Sequence, residues 1–235
     1  DLVRSRGLGD VYKRQARGRP VALLPTWLLD GRHIAYSTSG PAGTDLWVVD
    51  AVARGEPRQV TRSGKWGFQV LSWSPDGEAA VFDNPEPNGE GSDVYRVEMS
   101  TGEVVNLTAD SPAWDSHPTW SPDGQWVAFF SNWGPDRMAD IWLMRPDGSE
   151  LCNLTDNVPY WEDVTPAWSP DGLQIAFFRY AHEGQPGAPG GPPGLWVMAA
   201  DGTGQRMLVE LQGTPCFSPP AWSPDGRRIA YTHTA

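Results

Sequence analysis

The chain is 235 residues long and carries 18 basic against 29 acidic side chains, a formal net charge of −11. A surface of that sign disfavours nucleic acid and anionic membranes as partners, and no apolar run reaches the roughly 18 residues that a membrane-spanning helix needs. The first 20 residues run against the trend, with six basic and two acidic side chains; the remainder holds 12 basic and 27 acidic ones, a net of −15.

Within that basic segment, Asp10-Val11-Tyr12-Lys13-Arg14-Gln15 looks like the translation of a transposase adapter used to prepare sequencing libraries, and Ser5-Arg6-Gly7-Leu8-Gly9 often accompanies that scar. Residues 1–15 are therefore set apart as non-structural; the alternative is a genuine basic arm for nucleic acid or lipid. The patterned part of the chain begins after Arg19-Pro20, inside a region spanning 16–235.

The pattern is a repeat. Trp-Ser-Pro-Asp-Gly stands at 73–77, 120–124, 168–172 and 222–226, at spacings of 47, 48 and 54 residues, and a decayed copy, Trp27-Leu28-Leu29-Asp30-Gly31, lies 46 residues before the first. A period of 40 to 50 residues marks a repeat architecture. Units are placed near 22–65, 66–112, 113–160, 161–213 and 214–235.

Each unit is predicted to run in the same order. A first short strand ends at the repeat Trp (Trp27, Trp73, Trp120, Trp168, Trp222). A type I turn follows, with Ser first, Pro second and Gly last, through Asp76-Gly77, Asp123-Gly124, Asp171-Gly172 and Asp225-Gly226. The second strand places Ile34, Ala80, Val127, Ile175 or Ile229 seven residues after the Trp, and Tyr36, Phe82, Phe129, Phe177 or Tyr231 nine after it. Residues two apart share a face, and the small residue between them (Ala35, Val81, Ala128, Ala176, Ala230) implies that the other face is covered too. A third strand opens at Asp45, Asp93, Asp140 or Gly194, and a fourth ends in Val60-Thr61, Leu107-Thr108, Leu154-Thr155 or Leu208-Val209. Four antiparallel strands per unit make a propeller blade. The fold class is all-β: an incomplete β-propeller of four blades plus the start of a fifth, which stops within its second strand.

This repeat resembles the WD-like propeller repeat of the TolB family, over about residues 22 to 235. The resemblance implies a propeller whose full ring usually has six blades, so the chain is expected to be part of a longer protein and, alone, prone to aggregate through unpaired strand edges. It also implies three settings: a non-catalytic protein-binding scaffold in the periplasm or another extracytoplasmic space, the substrate-gating propeller of a prolyl-oligopeptidase-like serine peptidase, or a sensor fused to a kinase or DNA-binding region.

In such propellers ligands usually bind the face formed by the loops into the first strands and those between second and third strands, opposite the Ser-Pro-Asp-Gly turns. Nine of the 13 Trp read as blade packing, including Trp47, Trp142 and Trp196 in third strands and Trp126 in a second strand; Trp66, Trp114, Trp133 and Trp161 remain. Trp66, Trp114 and Trp161 occupy equivalent loops into first strands, accompanied by Asp115, His117, Glu162 and Asp163, and Trp133 lies in a second-to-third loop. Aromatics beside carboxylates suit a cationic peptide, a sugar or a basic partner surface; they also suit covers for the blade ends. The Gly- and Pro-rich stretch 180–193 reads as either a lid or a tolerated insertion.

Catalysis finds no footing: Gly-x-Ser-x-Gly, HExxH and Walker patterns are absent, and His33, His117, His182 and His233 are not spaced as metal pairs. No catalytic residue, metal or cofactor is assigned. Asp45, Asp93 and Asp140 recur at matching positions, which indicates a structural role; a calcium site there would need several oxygen ligands from one loop. Cys152 and Cys216 lack a CxxC spacing and read as free thiols. Asn106-Leu107-Thr108 and Asn153-Leu154-Thr155 fit the glycosylation pattern but belong to the repeat. The partner expected is a protein or peptide, and the oligomeric state is open.

Overall fold

The computed structural model describes residues 21–28, 30–40, 43–53, 55–67, 70–85, 91–156, 160–181, 192–211 and 218–232. The set-apart segment 1–15, the body of the Gly- and Pro-rich stretch with His182, and also Cys216 and His233 lie outside the described residues.

Four four-stranded antiparallel sheets follow one another in chain order. Blade 1 is β1 (Val21–Trp27), β2 (His33–Gly40), β3 (Gly43–Asp50) and β4 (Arg58–Gln59). Blade 2 is β5 (Leu71–Trp73), β6 (Ala79–Pro85), β7 (Ser92–Glu98) and β8 (Val104–Asn106). Blade 3 is β9 (Asp115–Trp120), β10 (Val127–Ser131), β11 (Asp140–Met144) and β12 (Cys152–Asn153). Blade 4 is β13 (Trp161–Trp168), β14 (Gln174–Ala181), β15 (Gly194–Ala199) and β16 (Arg206–Glu210). A hairpin of β17 (Ala221–Trp222) and β18 (Ile229–Ala230) opens the fifth. Successive blades meet through their first strands, β5 and β6 on β9, β9 and β10 on β13, β13 on β17. The described chain is thus an arc of a propeller.

The Ser-Pro-Asp-Gly turn is held by four hydrogen bonds. The Gly N–H donates to the Ser carbonyl at 2.8–2.9 Å, with the Gly φ between 67° and 74°, a region that glycine enters without steric cost. The Ser hydroxyl donates to the Asp carboxylate at 2.6 Å in all four copies, and the same carboxylate accepts the N–H two residues on at 3.0–3.1 Å. The Ser oxygen in turn accepts the N–H five residues on, at 2.9 Å. The serine hydroxyl, then the backbone N–H, holds the Asp76, Asp123, Asp171 and Asp225 carboxyls below their ordinary value. Where Leu28 replaces the Ser, His33 takes over, 2.5 Å from Asp30, and that carboxyl is held down to about 2.

Second strands are buried on both faces, as the small central residue implied: Ala80, Val81 and Phe82 are all fully inaccessible. Phe82 and Ala80 join the seam with blade 1, while Val81 joins the seam with blade 3 beside Trp120. The small position therefore faces the next blade's Trp; Ala35 likewise shares a cluster with Trp73, and Ala128 one with Trp168. Trp27 departs from this role. It is 52% exposed, because no preceding blade covers it among the described residues. Trp126 also departs: it sits in the turn before β10, under the Arg145 guanidinium at 3.9 Å.

The recurring third-strand Asp is a clasp to the fourth strand. Asp45, Asp93 and Asp140 accept from the side-chain amides of Gln59, Asn106 and Asn153 at 2.7–3.1 Å. The following Thr does not extend the fourth strand. Its hydroxyl instead accepts the N–H of Leu46, Val94 or Ile141 at 2.9–3.0 Å. Asn106 and Asn153 are thereby occupied as structural groups. In blade 4 a Cβ at Gly194 would lie 2.2 Å from the Val209 carbonyl oxygen, so the Asp is replaced where the strands run too close for any side chain.

Candidate functional site

Antiparallel connectivity puts the Ser-Pro-Asp-Gly turns at one end of every blade and the loops into first strands, with the second-to-third loops, at the other. In blade 3 the Ser131–Asp115 pair closes that second end. Trp114 stands just before it and Asn132-Trp133 just after, and the Trp114 N–H donates to Asn132 Oδ1 at 2.7 Å. Trp114 is 40% and Trp133 39% exposed. Trp133 stacks on Trp142, centroids 5.8 Å apart and planes 17° apart, so it is a fixed platform. Arg137 binds the Pro112 carbonyl at 3.2 Å and joins the two loops. Exposed Asp110 and Asp136 belong to the same pair of loops.

The other aromatic candidates are placed differently. Trp66 is half-buried, edge-on to Phe82 at 5.5 Å and to Tyr95 at 5.2 Å; it closes the blade 1–2 seam. Trp161 is buried and begins β13, so it is a strand residue where a loop was expected. Asp115, Glu162 and Asp163 also lie in first strands. Tyr160, next to Trp161 and outside the sequence pattern, is 49% exposed on this end.

The acids do not form one open cluster. Asp163 receives Arg179 in a buried bidentate pair, 2.7 and 2.6 Å, and the guanidinium lies 4.6 Å from the Trp196 ring. Glu162 accepts the Tyr180 hydroxyl at 2.5 Å; burial, then this carboxylate, pushes the tyrosine up. Asp115 is fully buried, and burial pushes its carboxyl up against the opposing hydroxyls of Ser131, Ser111 and Thr108. His117 is nearly buried, its Nδ1 3.0 Å from the Ser116 hydroxyl, and both the Ser116 hydroxyl and the His117 N–H donate to Asp83 of blade 2.

His117 also marks a feature that no motif in the sequence announces. The first strands of blades 1, 3 and 4 slip register between Leu23 and Thr26, Ser116 and Thr119, and Val164 and Ala167. Each slip contains an X-Pro pair, Leu24-Pro25, His117-Pro118 and Thr165-Pro166. His117 and Thr165 take φ of 54° and 53°, a conformation costly for a β-branched residue. The signal was present as a Pro two residues before the repeat Trp in four of five units. These bulges re-aim the first strand of the propeller.

On the opposite end, a groove between blades 1 and 2 is lined by Asp30, His33, Asp50, Arg58 and Asp76. Asp30, Asp50 and Asp76 are engaged there in local turn bonds.

Meandering four-stranded blades packed side by side through their first strands define the protein as a β-propeller. The chain belongs to the TolB family: the TolB beta propeller domain matches residues 9–185. No curated protein matches it. Among solved structures it is similar to TolB from Acinetobacter baumannii, at 21% identity and a TM-score of 0.70, over 92% of this chain and 49% of that one. It is similar to a putative TolB from Agrobacterium tumefaciens, at 26% identity and 0.64, over 87% of this chain and 72% of that one. The propeller also matches one of two prolyl endopeptidases studied for inter-domain dynamics, at 14% identity and 0.53, over 76% of this chain and 27% of that one. The chain thus spans about half the length of the Acinetobacter TolB.

Proposed function

We propose that this propeller is a non-catalytic scaffold that binds a protein or peptide on the end of blade 3 formed by Trp114 and Trp133, in the periplasm or another extracytoplasmic space. The observation that carries the reading is the contrast among its tryptophans. Trp73, Trp120 and Trp161 are at most 9% exposed, whereas Trp114 and Trp133 expose four times that fraction at one end of one blade, with Trp133 stacked on Trp142 and the Trp114 backbone bound to Asn132. Tryptophan is among the residues enriched at the hot spots of protein interfaces. Asp110, Asp136 and Asp156 are exposed in the loops at this end, and the overall charge is −11, which favours a basic segment in the partner.

The test is binding of basic peptides selected by display against the wild-type protein. Trp114→Ala and Trp133→Ala should each weaken binding at least tenfold with unfolding free energies near wild type. Unchanged affinity in both variants would remove this face from the function.

A further inference from the structure

The repeat supplies an internal comparison. Blades 3 and 4 each place an Asp five residues before the repeat Trp, and each Asp faces a partner across the first and second strands: Asp115 faces Ser131, Asp163 faces Arg179. Each is also coupled to the third-strand carboxylate of the preceding blade: Asp93 acts on Asp115, and Asp163 acts on Asp140. In blade 4 the Arg179 guanidinium compensates the buried carboxylate. In blade 3 a serine stands in the arginine's place. Among the described residues no Lys, Arg or His forms an ion pair with Asp115 or Asp93.

Asp115 is 0% exposed and neither of its oxygens has a hydrogen-bond partner of ordinary geometry. Uncompensated buried charge is among the costliest arrangements in a protein interior. The surroundings are nevertheless built for charge. The hydroxyls of Ser131, Ser111 and Thr108 act on Asp115. Each is pinned by a backbone N–H that it accepts, from Trp133 at 3.1 Å, Ala113 at 3.3 Å and Val94 at 3.0 Å. Each oxygen keeps a second lone pair.

We propose that the seam between blades 2 and 3 holds a hard divalent cation, calcium in preference to magnesium, between Asp115 and Asp93, with the Ser131, Ser111 and Thr108 hydroxyls as neutral ligands and water completing the shell. Among the described residues no three His, Cys, Asp or Glu side chains converge, so the donors are two carboxylates and hydroxyls. An all-oxygen set selects a hard cation over a thiophilic or imidazole-seeking one, and an irregular one selects calcium over the strictly octahedral magnesium. Blade 4 meets the same need with a guanidinium.

Thermal unfolding and terbium luminescence test this on the full chain after chelator treatment. Calcium chloride should raise the Tm by about 5–10 °C at a hundredfold excess over Kd, and magnesium chloride by less. Terbium should show indole-sensitised emission, with Trp114 adjoining Asp115 as the antenna, and calcium should displace it. Asp115→Asn should lose both responses. Ser131→Arg, which gives blade 3 the solution of blade 4, should lose the calcium response with an undiminished calcium-free Tm. A wild-type protein without a calcium-dependent shift overturns the proposal and leaves Asp115 as a neutral, protonated acid; so does a shift that survives in Asp115→Asn. Should Asp115→Asn fail to fold, the wild-type titration and Ser131→Arg decide the matter.

Discussion

Burial sorts the tryptophans by task. Trp120 fills the seam between blades 2 and 3 with Val81, Val94 and Phe129. Trp120→Ala is therefore expected to destabilise by about 3–5 kcal/mol in urea unfolding, whereas Trp114→Ala should cost less than about 1 kcal/mol. The two residues are six apart in sequence, and only exposure separates them. The sequence made them distinguishable because Trp120 belongs to the motif that opens every unit, whereas Trp114 has counterparts only at Trp66 and Trp161. The same logic failed for Trp161, which precedes its repeat Trp by seven residues as Trp66 does, yet is a buried strand residue. Arg179 went unnoticed for a related reason: a single basic residue after Phe177-Phe178 looks like a strand end, and only the fold brings Asp163 to it. Arg179→Met should destabilise by about 3–5 kcal/mol by leaving Asp163 buried and unpaired. Adding Asp163→Asn should restore most of that loss, which a double-mutant cycle would read.

At the scale of the element, the turn and the clasp differ in how visible they were. Ser-Pro-Asp-Gly carries its mechanism in adjacent residues, so its geometry was legible. The Asp–Asn–Thr clasp joins residues 13 to 15 positions apart, and its recurrence showed that it was structural but not what it bound. It has a pH signature. Burial, opposed by the Asn153 amide and reinforced by Asp163, pushes the Asp140 carboxyl up to about 6. Its folded value thus exceeds the unfolded one of about 3.9. Between these values the native state holds the extra proton, so Asp140 makes the protein less stable as pH rises from about 4 to about 6, with no further change above that. Asp140→Asn should flatten this part of a stability-versus-pH curve; an unchanged slope would contradict the assignment. The strained X-Pro bulges at His117 and Thr165 were the least legible elements, because a recurrent Pro announces neither a bulge nor a left-handed residue before it.

The whole molecule is a row of seams, each formed only with neighbours, so stability is expected to be graded along the arc. Amide exchange should be slowest in the second strands of blades 2 to 4, Ala79–Phe82, Val127–Phe130 and Ile175–Phe178, where both faces are covered. It should be fastest at the β17–β18 hairpin, whose four residues are half-buried or exposed. The propeller class was readable from the repeat alone, since its period, turn and alternation all have local causes. The proposed binding face was readable only as an end of the blades; which of its aromatics are exposed depended on packing across the seams. The most direct test of the binding account is a titration of wild-type protein and Trp114→Ala with the selected basic peptides, beside urea unfolding of both. The account predicts at least a tenfold loss of affinity with nearly equal unfolding free energies. A variant that binds like wild type, or one whose stability falls as far as that of Trp120→Ala, would contradict it.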